Sequence, residues 1–163
     1  MERITDTHIY FWGSELSNWF TCDFKYKGHE FKNSEQAFMW EKAIYFGDIL
    51  KANEILKEPN PRRNKQLGRE VRNFNTEEWL KASFDYMVDV NYAKWTSNKK
   101  LQNLLLSTGN KTIVEASPQD ILWGIGLHWE DDAVLDQKKW KGTNWLGEAL
   151  MKVRDKIGNE QSK

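Results

Sequence analysis

The chain has 163 residues, with 24 Lys and Arg against 24 Asp and Glu, and therefore no formal net charge at pH 7. A chain of this length buries about 70% of the surface of its unfolded form, so we expect one domain over residues 1–163 that folds without a metal or a disulfide. The balanced charge argues against a protein that grips duplex DNA by bulk phosphate neutralisation, because such proteins usually carry a basic excess.

The sequence predicts a cytoplasmic protein with no membrane partner. Its longest apolar runs, such as 44–46 and 104–106, are far shorter than the roughly 20 residues that cross a bilayer. The first residues are polar and acidic, without the apolar stretch of a secretion signal. The single cysteine, Cys22, has no partner for an internal disulfide, which suits a reducing compartment, and no Cys or His pair at ligand spacing predicts a metal site.

The first third of the chain predicts short strands. Residues 9–12 form an apolar run that ends at Gly13, and residues 23–26 alternate polar and aromatic side chains. Lys27-Gly28 is a turn signal between this second run and residues 29–31, which predicts a hairpin.

Capping residues and apolar periodicity predict that helices dominate the remainder. The predicted class is therefore α+β: a helix-rich single domain with a small β-sheet or hairpin. The predicted segments are a helix from Glu35 to about Phe46 capped by Ser34, one capped by Asp48 through Leu56, one opened by Asn60-Pro61 through Asn73, one capped by Thr76, one from Asn98 to Leu106, a strand-like stretch at 111–116, and a last helix from Asn144 to Ile157 ended by Gly158.

Two ionisable residues share one face of the helix predicted after Ser34. At about 100° per residue, Glu35 and Lys42 differ by two turns less about 20° and lie about 10 Å apart along the axis. A carboxylate is suited to general acid–base work, and an amine whose pKa is lowered by burial can add to a sugar carbonyl. The alternative, which spacing alone favours, is that Glu35 complements the helix dipole while Lys42 faces water.

A second candidate lies between residues 115 and 127. Gly124 and Gly126 follow Trp123 closely, and glycine lets a ligand approach the backbone while the indole offers a stacking surface. This Gly-x-Gly does not follow the dinucleotide or P-loop pattern. Asp120 stands three residues after Ser117, which is the spacing of a capping box, and the residues alone favour that interpretation.

A third candidate is the basic stretch 62–72, which holds four Arg and one Lys against one Glu. The guanidinium fork accepts phosphate oxygens in pairs, so a clamp for a pyrophosphate or a 5′-phosphate is one interpretation. A solvated helix face is the other. Gly68 costs about 1 kcal/mol relative to Ala in mid-helix, which indicates close packing or the approach of a ligand there.

Taken in order, these segments resemble the NADAR family of YbiA-like proteins. The likeness runs over nearly the whole chain, from Phe11-Trp12 to Arg154. The segments that carry it include Leu16-Ser17-Asn18-Trp19, Ser34-Glu35-Gln36, Lys42-Ala43, Leu67-Gly68-Arg69, Val114-Glu115-Ala116-Ser117, Trp123-Gly124-Ile125-Gly126-Leu127 and Trp140-Lys141-Gly142-Thr143-Asn144-Trp145-Leu146-Gly147.

The resemblance implies an N-glycosidase that hydrolyses the bond between a ribose and a base-like amine. Two substrate classes are associated with the family: ADP-ribose attached to guanine, in nucleic acid or in nucleotides, and ribosylamino-pyrimidine phosphates of riboflavin biosynthesis. We expect the first, because the YbiA-type branch has an acid between its two glycines where this chain has Ile125. A non-catalytic module that binds NAD or ADP-ribose is the alternative from another class. Neither a cofactor nor an obligate protein partner is predicted.

The same resemblance implies roles for individual residues. Glu35 corresponds to the acid–base carboxylate, and Lys42 to a lysine for which a Schiff base with the opened ribose has been proposed. Asp120 is grouped with these two as catalytic. The residues predicted to bind substrate are Trp12, Asn18, Gly68, Arg69, Arg72, Trp123, Gly124, Gly126 and Asn144.

Overall fold

The computed structural model describes residues 1–162, which form six α-helices, five β-strands and two short 3-10 helices. The predicted helix-rich α+β class is confirmed. In chain order the elements are β1 (Glu2–Ile4), β2 (His8–Phe11), β3 (Phe24–Tyr26), β4 (His29–Phe31), α1 (Ser34–Tyr45), α2 (Ile49–Leu56), α3 (Pro61–Arg69), α4 (Thr76–Trp95), α5 (Lys99–Ser107), β5 (Thr112–Glu115), 3-10 helices at Asp132–Leu135 and Gln137–Lys139, and α6 (Trp145–Gln161).

The residues group into two compact units. The first, which we call the helical unit, is Asn18–Ser97, and the second, the sheet unit, is Met1–Ser17 together with the residues from Asn98 onward. The sheet unit is therefore discontinuous in sequence. The extent of a single domain over residues 1–163 stays a prediction.

In the helical unit, the hairpin of β3 and β4 precedes a group of helices that pack on α1. Lys27 and Gly28 both have positive φ, 49° and 81°, as a tight hairpin turn of the predicted kind requires. Helices α2, α3 and α4 all contact α1. The first helix is accordingly buried on most of its surface, and its half-buried residues include Glu35 and Lys42.

Two predicted N-caps are wrong by one residue. Asn33, not Ser34, caps α1, because its side chain accepts a hydrogen bond from the Gln36 amide at 2.8 Å. Asn75, not Thr76, caps α4 in the same way. In each case two suitable capping residues are adjacent, and the asparagine is at least as good a cap as the hydroxyl residue after it. The caps predicted at Asp48 and Asn60 are confirmed, and Asn98, predicted as the first residue of α5, is its cap.

Two predicted helix ends are also wrong. Helix α3 stops at Arg69 rather than Asn73, which takes the left-handed conformation with φ 63°. Helix α6 begins at Trp145 and continues through Gly158 to Gln161. Glycine ends a helix most often when it adopts positive φ, and Gly158 is not among the residues with positive φ.

The sheet unit is built on three strands in the order β1, β2, β5. Strand β1 pairs antiparallel with β2, which pairs in parallel with β5. Helix α6 packs on β5 and on α5. A core of Tyr10, Val114, Ala116, Ile125, Leu127 and Val134 lies between this sheet and the irregular segment after it. Among residues 1–162 there is no helix with both the length and the apolar character needed to cross a membrane.

Candidate active site

The helical unit places Glu35 and Lys42 on one face of α1. Glu35 lies in the first helical turn, and its backbone N–H donates to the carbonyl of Asn18 at 3.0 Å. Both side chains are half-buried. Their charges interact, because the Glu35 carboxylate raises the pKa of Lys42. The structure therefore contradicts the interpretation that Lys42 simply faces water.

The amine of Lys42 lies over the face of an aromatic ring. Its Nζ atom is 4.3 Å from the centroid of Phe74. Burial lowers the pKa of Lys42, which the Glu35 carboxylate opposes and the Arg69 guanidinium reinforces. The net direction is downward, so a larger fraction of this amine is neutral at a given pH than in an exposed lysine. A neutral amine is the form that adds to a carbonyl carbon.

Sequence reasoning missed Phe74. The basic helix was expected to run through Asn73, whereas the left-handed conformation of Asn73 turns the chain directly before this ring. Phe74 contacts Phe46 edge to face at 5.3 Å and is still 43% exposed. A large exposed apolar ring after a helix-breaking asparagine is the signal that marks this position.

Asn18 supports the start of α1 from inside the helical unit. Its side chain is buried, its amide nitrogen donates to the sulfur of Met87 at 3.3 Å, and its amide oxygen accepts from Asn91 at 3.3 Å. Its backbone carbonyl holds the Glu35 amide. These contacts give Asn18 a positioning role, and direct contact with a substrate stays a prediction.

The three residues predicted around the basic stretch differ in what they contact. A Cβ atom on Gly68 would overlap the Met39 sulfur, so this glycine permits the close packing of α3 on α1. Arg72 is held by Asp48, which accepts from its backbone N–H at 3.0 Å and from its guanidinium at 3.5 Å. Arg69 ends α3 with an exposed side chain. Close packing explains the mid-helix glycine, and Arg69 is the member best placed to meet a phosphate.

In the sheet unit, Asp120 organises a turn. One carboxylate oxygen, Oδ1, accepts from the amides of Leu122 at 3.0 Å and Trp123 at 2.8 Å. No helix starts at Ser117, so the capping-box interpretation is wrong and Asp120 caps its own turn instead. The indole of Trp123, held after this turn, is half-buried and lies edge to face with Trp145 at 5.6 Å.

The glycines and the asparagine predicted to bind substrate are packed against backbone. Gly124 is buried, and a Cβ atom there would lie 2.9 Å from the carbonyl oxygen of Asp120. Gly126 has φ 71°. Asn144 adopts φ 55°, donates to the carbonyl of Ile113 at 2.9 Å and accepts from the amide of Glu115 at 2.9 Å. These residues fix the loop and the start of α6, and their contact with a ligand is untested.

Trp12 belongs to an aromatic group of the sheet unit. It is 41% exposed and meets His128 edge to face at 5.4 Å, while His128 stacks on Trp129 at 5.5 Å. The Glu130 amide donates to Nδ1 of His128 at 3.2 Å, so the proton of a neutral ring lies on Nε2. Of the three rings only Trp12 is exposed, and its contact with a substrate stays a prediction. Among residues 1–162 no three His, Cys, Asp or Glu side chains are grouped to hold a metal ion.

The family assignment rests on the whole length of the chain. The sequence model of the NADAR domain matches residues 10–158. The chain belongs to the NADAR domain family. The resemblance identified from the motifs is therefore confirmed.

The relatives of this NADAR domain include proteins named as N-glycosidases and proteins named for riboflavin biosynthesis. An N-glycosidase of Acanthamoeba polyphaga mimivirus is 41% identical over 164 residues, which cover 93% of this chain and 96% of that protein. A riboflavin biosynthesis protein of Vibrio vulnificus is 25% identical over 160 residues, which cover 95% of this chain but 40% of that protein. The NMR structure of Escherichia coli YbiA superposes with a TM-score of 0.80 at 26% identity, covering 99% of this chain and 90% of that one.

Ile125, on which the sequence-based choice of substrate depends, is internal. It has no exposed surface and belongs to the core cluster that includes Tyr10, Val114 and Leu127. Its side chain therefore contributes to the core of the sheet unit. The choice of substrate drawn from this position stays a prediction.

Proposed function

We propose that this NADAR domain is an N-glycosidase that removes ADP-ribose from ADP-ribosylated guanine, in nucleotides or in nucleic acid. The observation that carries the N-glycosidase chemistry is the half-buried amine of Lys42, with its lowered pKa, on the same helix face as Glu35. The choice of ADP-ribosylated guanine follows the family resemblance. The coarser class of N-glycosidase is also supported by the names of the mimivirus and E. coli relatives.

The proposed reaction uses Lys42 as the nucleophile. The ribose opens when the bond between C1 and the ring oxygen breaks: the glycosidic nitrogen forms a double bond to C1, and the ring oxygen takes a proton from Glu35. The neutral amine of Lys42 then adds to C1 and returns a proton to Glu35. The bond between C1 and the guanine nitrogen then breaks, and that nitrogen leaves with a proton supplied by Glu35. Water adds to the resulting lysine iminium and releases ADP-ribose. Guanine and the free amine are restored, with one water consumed.

The ring of Phe74 is suited to the positive charge that develops on Lys42 during the proposed reaction. Attack needs a neutral amine, which burial favours, whereas the iminium that follows is a cation. A cation over an aromatic face is stabilised by about 0.5 to 2 kcal/mol. The ring beneath Lys42 therefore excludes water before the attack and faces the cation after it.

A direct route remains the alternative within the same function. There Glu35 protonates the departing nitrogen and water attacks C1 without a covalent intermediate. Replacing Glu35 with Gln abolishes turnover on either route, because both require its proton. Replacing Lys42 with Arg keeps a positive charge but removes an amine able to form an iminium, so it stops only the covalent route.

The remaining site residues are proposed to bind or to position. Arg69, whose charge acts on Lys42, offers a guanidinium to a phosphate of the substrate. Trp12 and Trp123 are each proposed as surfaces for a base. The geometry of Asp120 supports a positioning role, through the amides of Leu122 and Trp123, and its catalytic role stays a prediction.

A second candidate substrate is a ribosylamino-pyrimidine phosphate. It is favoured by the relatives named as riboflavin biosynthesis proteins, including that of V. vulnificus and a maize protein. Both candidates present a ribose C1 bonded to an amine, so the chemistry of Lys42 applies to each. The discriminating experiment incubates the protein with ADP-ribosylated guanosine, DNA and RNA beside the pyrimidine intermediate, and measures the sugar released by each.

The same panel excludes or supports a non-catalytic module. Such a module binds ADP-ribosylated guanosine without releasing ADP-ribose, and its binding is indifferent to the replacement of Glu35 by Gln. Release from any member of the panel, abolished in that variant, supports the enzyme. Binding with no release from all of them contradicts the proposal.

A further inference from the structure

A stripe of three cations follows one face of α3. Arg62, Lys65 and Arg69 stand at positions i, i+3 and i+7, which lie within about 60° of one another around a helix. All three are exposed. The buried face of the same helix, formed by Asn64, Leu67 and Gly68, points away from them toward α1.

Three neighbouring cations of the helical unit are paired with acids, whereas the stripe is not. Arg63 pairs with Glu58 at 3.7 Å, Lys51 with Glu70 at 2.8 Å, and Arg72 with Asp48 at 3.5 Å. Within residues 1–162, no acid lies within ion-pair distance of Arg62, Lys65 or Arg69. The positive charge of this face is therefore not offset by a nearby carboxylate, and it is available to a negatively charged partner.

The stripe ends close to the proposed reacting centre. Arg62 and Arg69 are seven residues apart, which is about 10 Å along the helix. Its last member, Arg69, is close enough to Lys42 for its charge to lower the pKa of that amine, and Lys42 lies over the exposed ring of Phe74. The stripe thus leads along the surface to the proposed reacting centre.

The spacing suits a nucleotide chain better than a pyrophosphate. The two phosphorus atoms of a pyrophosphate share one oxygen and are met by one or two side chains. Successive phosphates of a nucleotide chain are separated by a sugar, so three cations spread over about 10 Å can meet different phosphates of one chain. Three cations in line form the kind of positively charged groove that follows a nucleic-acid backbone.

We propose that Arg62, Lys65 and Arg69 form a phosphate track for a single-stranded nucleic acid that carries the modified base. The part of the inference that concerns the modified base rests on the proposed function. A single strand is specified because the protein has no net charge to hold a duplex, and because a modified base inside a duplex stack cannot reach a lysine on the protein.

The direct test measures binding of an unmodified, fluorescent single-stranded oligonucleotide at several salt concentrations. The wild-type chain is compared with the double variant R62A/K65A and with the control R63A, whose arginine lies on the same helix but is paired with Glu58. Loss of two phosphate contacts reduces the slope of log affinity against log salt by about 1.4, at ~0.7 per contact for single strands. The control keeps the wild-type slope.

Several outcomes overturn the track. One is an unchanged slope in R62A/K65A, and another is an equal loss in R63A. Binding of a duplex of the same sequence as tightly as the single strand contradicts the choice of partner. If R62A/K65A instead weakens the binding of free ADP-ribose and leaves the oligonucleotide unaffected, the stripe serves the phosphates of ADP-ribose and the proposal is wrong.

A turnover assay separates this inference from the proposed function. With ADP-ribosylated guanine as substrate, R62A/K65A raises KM for the oligonucleotide and leaves turnover of the free nucleoside unchanged. If the wild-type chain releases ADP-ribose from neither substrate while oligonucleotide binding depends on the stripe, the proposed function fails and the track stands. If the wild-type chain cleaves both substrates and R62A/K65A binds the oligonucleotide like the wild type, the track is wrong and the proposed function is supported.

Discussion

The amine of Lys42 lies 4.3 Å from the ring centroid of Phe74, on the same face of α1 as Glu35. This relationship joins a residue that the sequence identifies to one that it does not. Spacing indicates that Glu35 and Lys42 share a face, but the ring that the amine contacts lies beyond the end of α3. The pKa of the amine is lowered by burial and by the charge of Arg69.

The two charged neighbours of Lys42 are expected to shift its pKa in opposite directions. Replacing Arg69 with Gln removes a positive charge, so the ammonium form of Lys42 is stabilised and its pKa rises. Replacing Glu35 with Gln removes a negative charge, so the pKa falls further. NMR titration of the chain with labelled lysines measures both shifts, with Lys51, whose pKa is raised mainly by Glu70, as the internal reference. Shifts of the same sign in the two variants contradict this account of the site.

Activity is expected to follow the same titration. Because the attacking form of Lys42 is neutral, the covalent route predicts that kcat rises with pH through the pKa of this amine. The rise lies below the usual pH range of lysine, since burial lowers the pKa. The Arg69→Gln variant moves the rise to higher pH. A pH profile of single-turnover rates that is identical in both proteins argues that Lys42 does not titrate in the reacting step.

Two variants of Asp120 distinguish a role of its negative charge from a role of its hydrogen bonds to the turn. Asparagine keeps an oxygen that can accept from the amides of Leu122 and Trp123, whereas alanine does not. We expect Asp120→Asn to retain most of the wild-type kcat and Asp120→Ala to lose it together with the order of the turn. Steady-state kinetics measure the difference, with the fluorescence of Trp123 as a readout of the turn. Complete loss of kcat in the Asn variant restores the predicted catalytic role.

Gly68 is expected to be required because the Met39 side chain leaves no room for a Cβ atom there. Alanine in mid-helix gains about 1 kcal/mol of helix propensity, but its methyl group overlaps the Met39 sulfur, and overpacking of this kind costs about 1 to 3 kcal/mol. Gly68→Ala therefore lowers the free energy of unfolding by up to about 2 kcal/mol. In a Met39→Ala background the clash is gone and the same substitution becomes stabilising. Urea unfolding of the four proteins measures this sign reversal, and its absence contradicts the packing explanation.

Asn144 is expected to hold α6 to β5 through its side chain. Glycine tolerates the φ of 55° at this position but makes neither hydrogen bond to the strand. Asn144→Gly leaves one buried donor and one buried acceptor unpaired, which lowers the free energy of unfolding by about 2 to 4 kcal/mol. Thermal or urea unfolding measures the loss. A change below about 0.5 kcal/mol, the usual size for surface substitutions, shows that the two bonds are not needed.

Local capping chemistry made much of the fold predictable. The hairpin turn at Lys27-Gly28 and the caps at Asp48 and Asn60 are short-range features that depend on a few adjacent residues. Where two capping residues are adjacent, as at Asn33 and Ser34, the sequence does not decide between them. The pairing of β2 with β5 depends on strands about a hundred residues apart and was not predicted.

Less of the candidate site was predictable. Motif resemblance located Asp120, Gly124 and Asn144, but the structure shows that they organise backbone, which a motif does not distinguish from ligand contact. Gly124 is buried against carbonyl groups rather than open to a ligand. Phe74 was missed because its contact with Lys42 depends on where α3 ends. Long-range packing therefore determines which of the candidate residues hold the backbone and which can contact a substrate.

The central claim is that Lys42 forms an iminium with C1 of the ribose, and it is tested most directly by trapping. Borohydride added while the protein turns over ADP-ribosylated guanosine reduces the iminium to a stable secondary amine. The account predicts a sugar adduct on the peptide that contains Lys42, found by mass spectrometry and absent from a Lys42→Arg variant that no longer turns over. Full turnover with no adduct, together with an active Lys42→Arg variant, contradicts it.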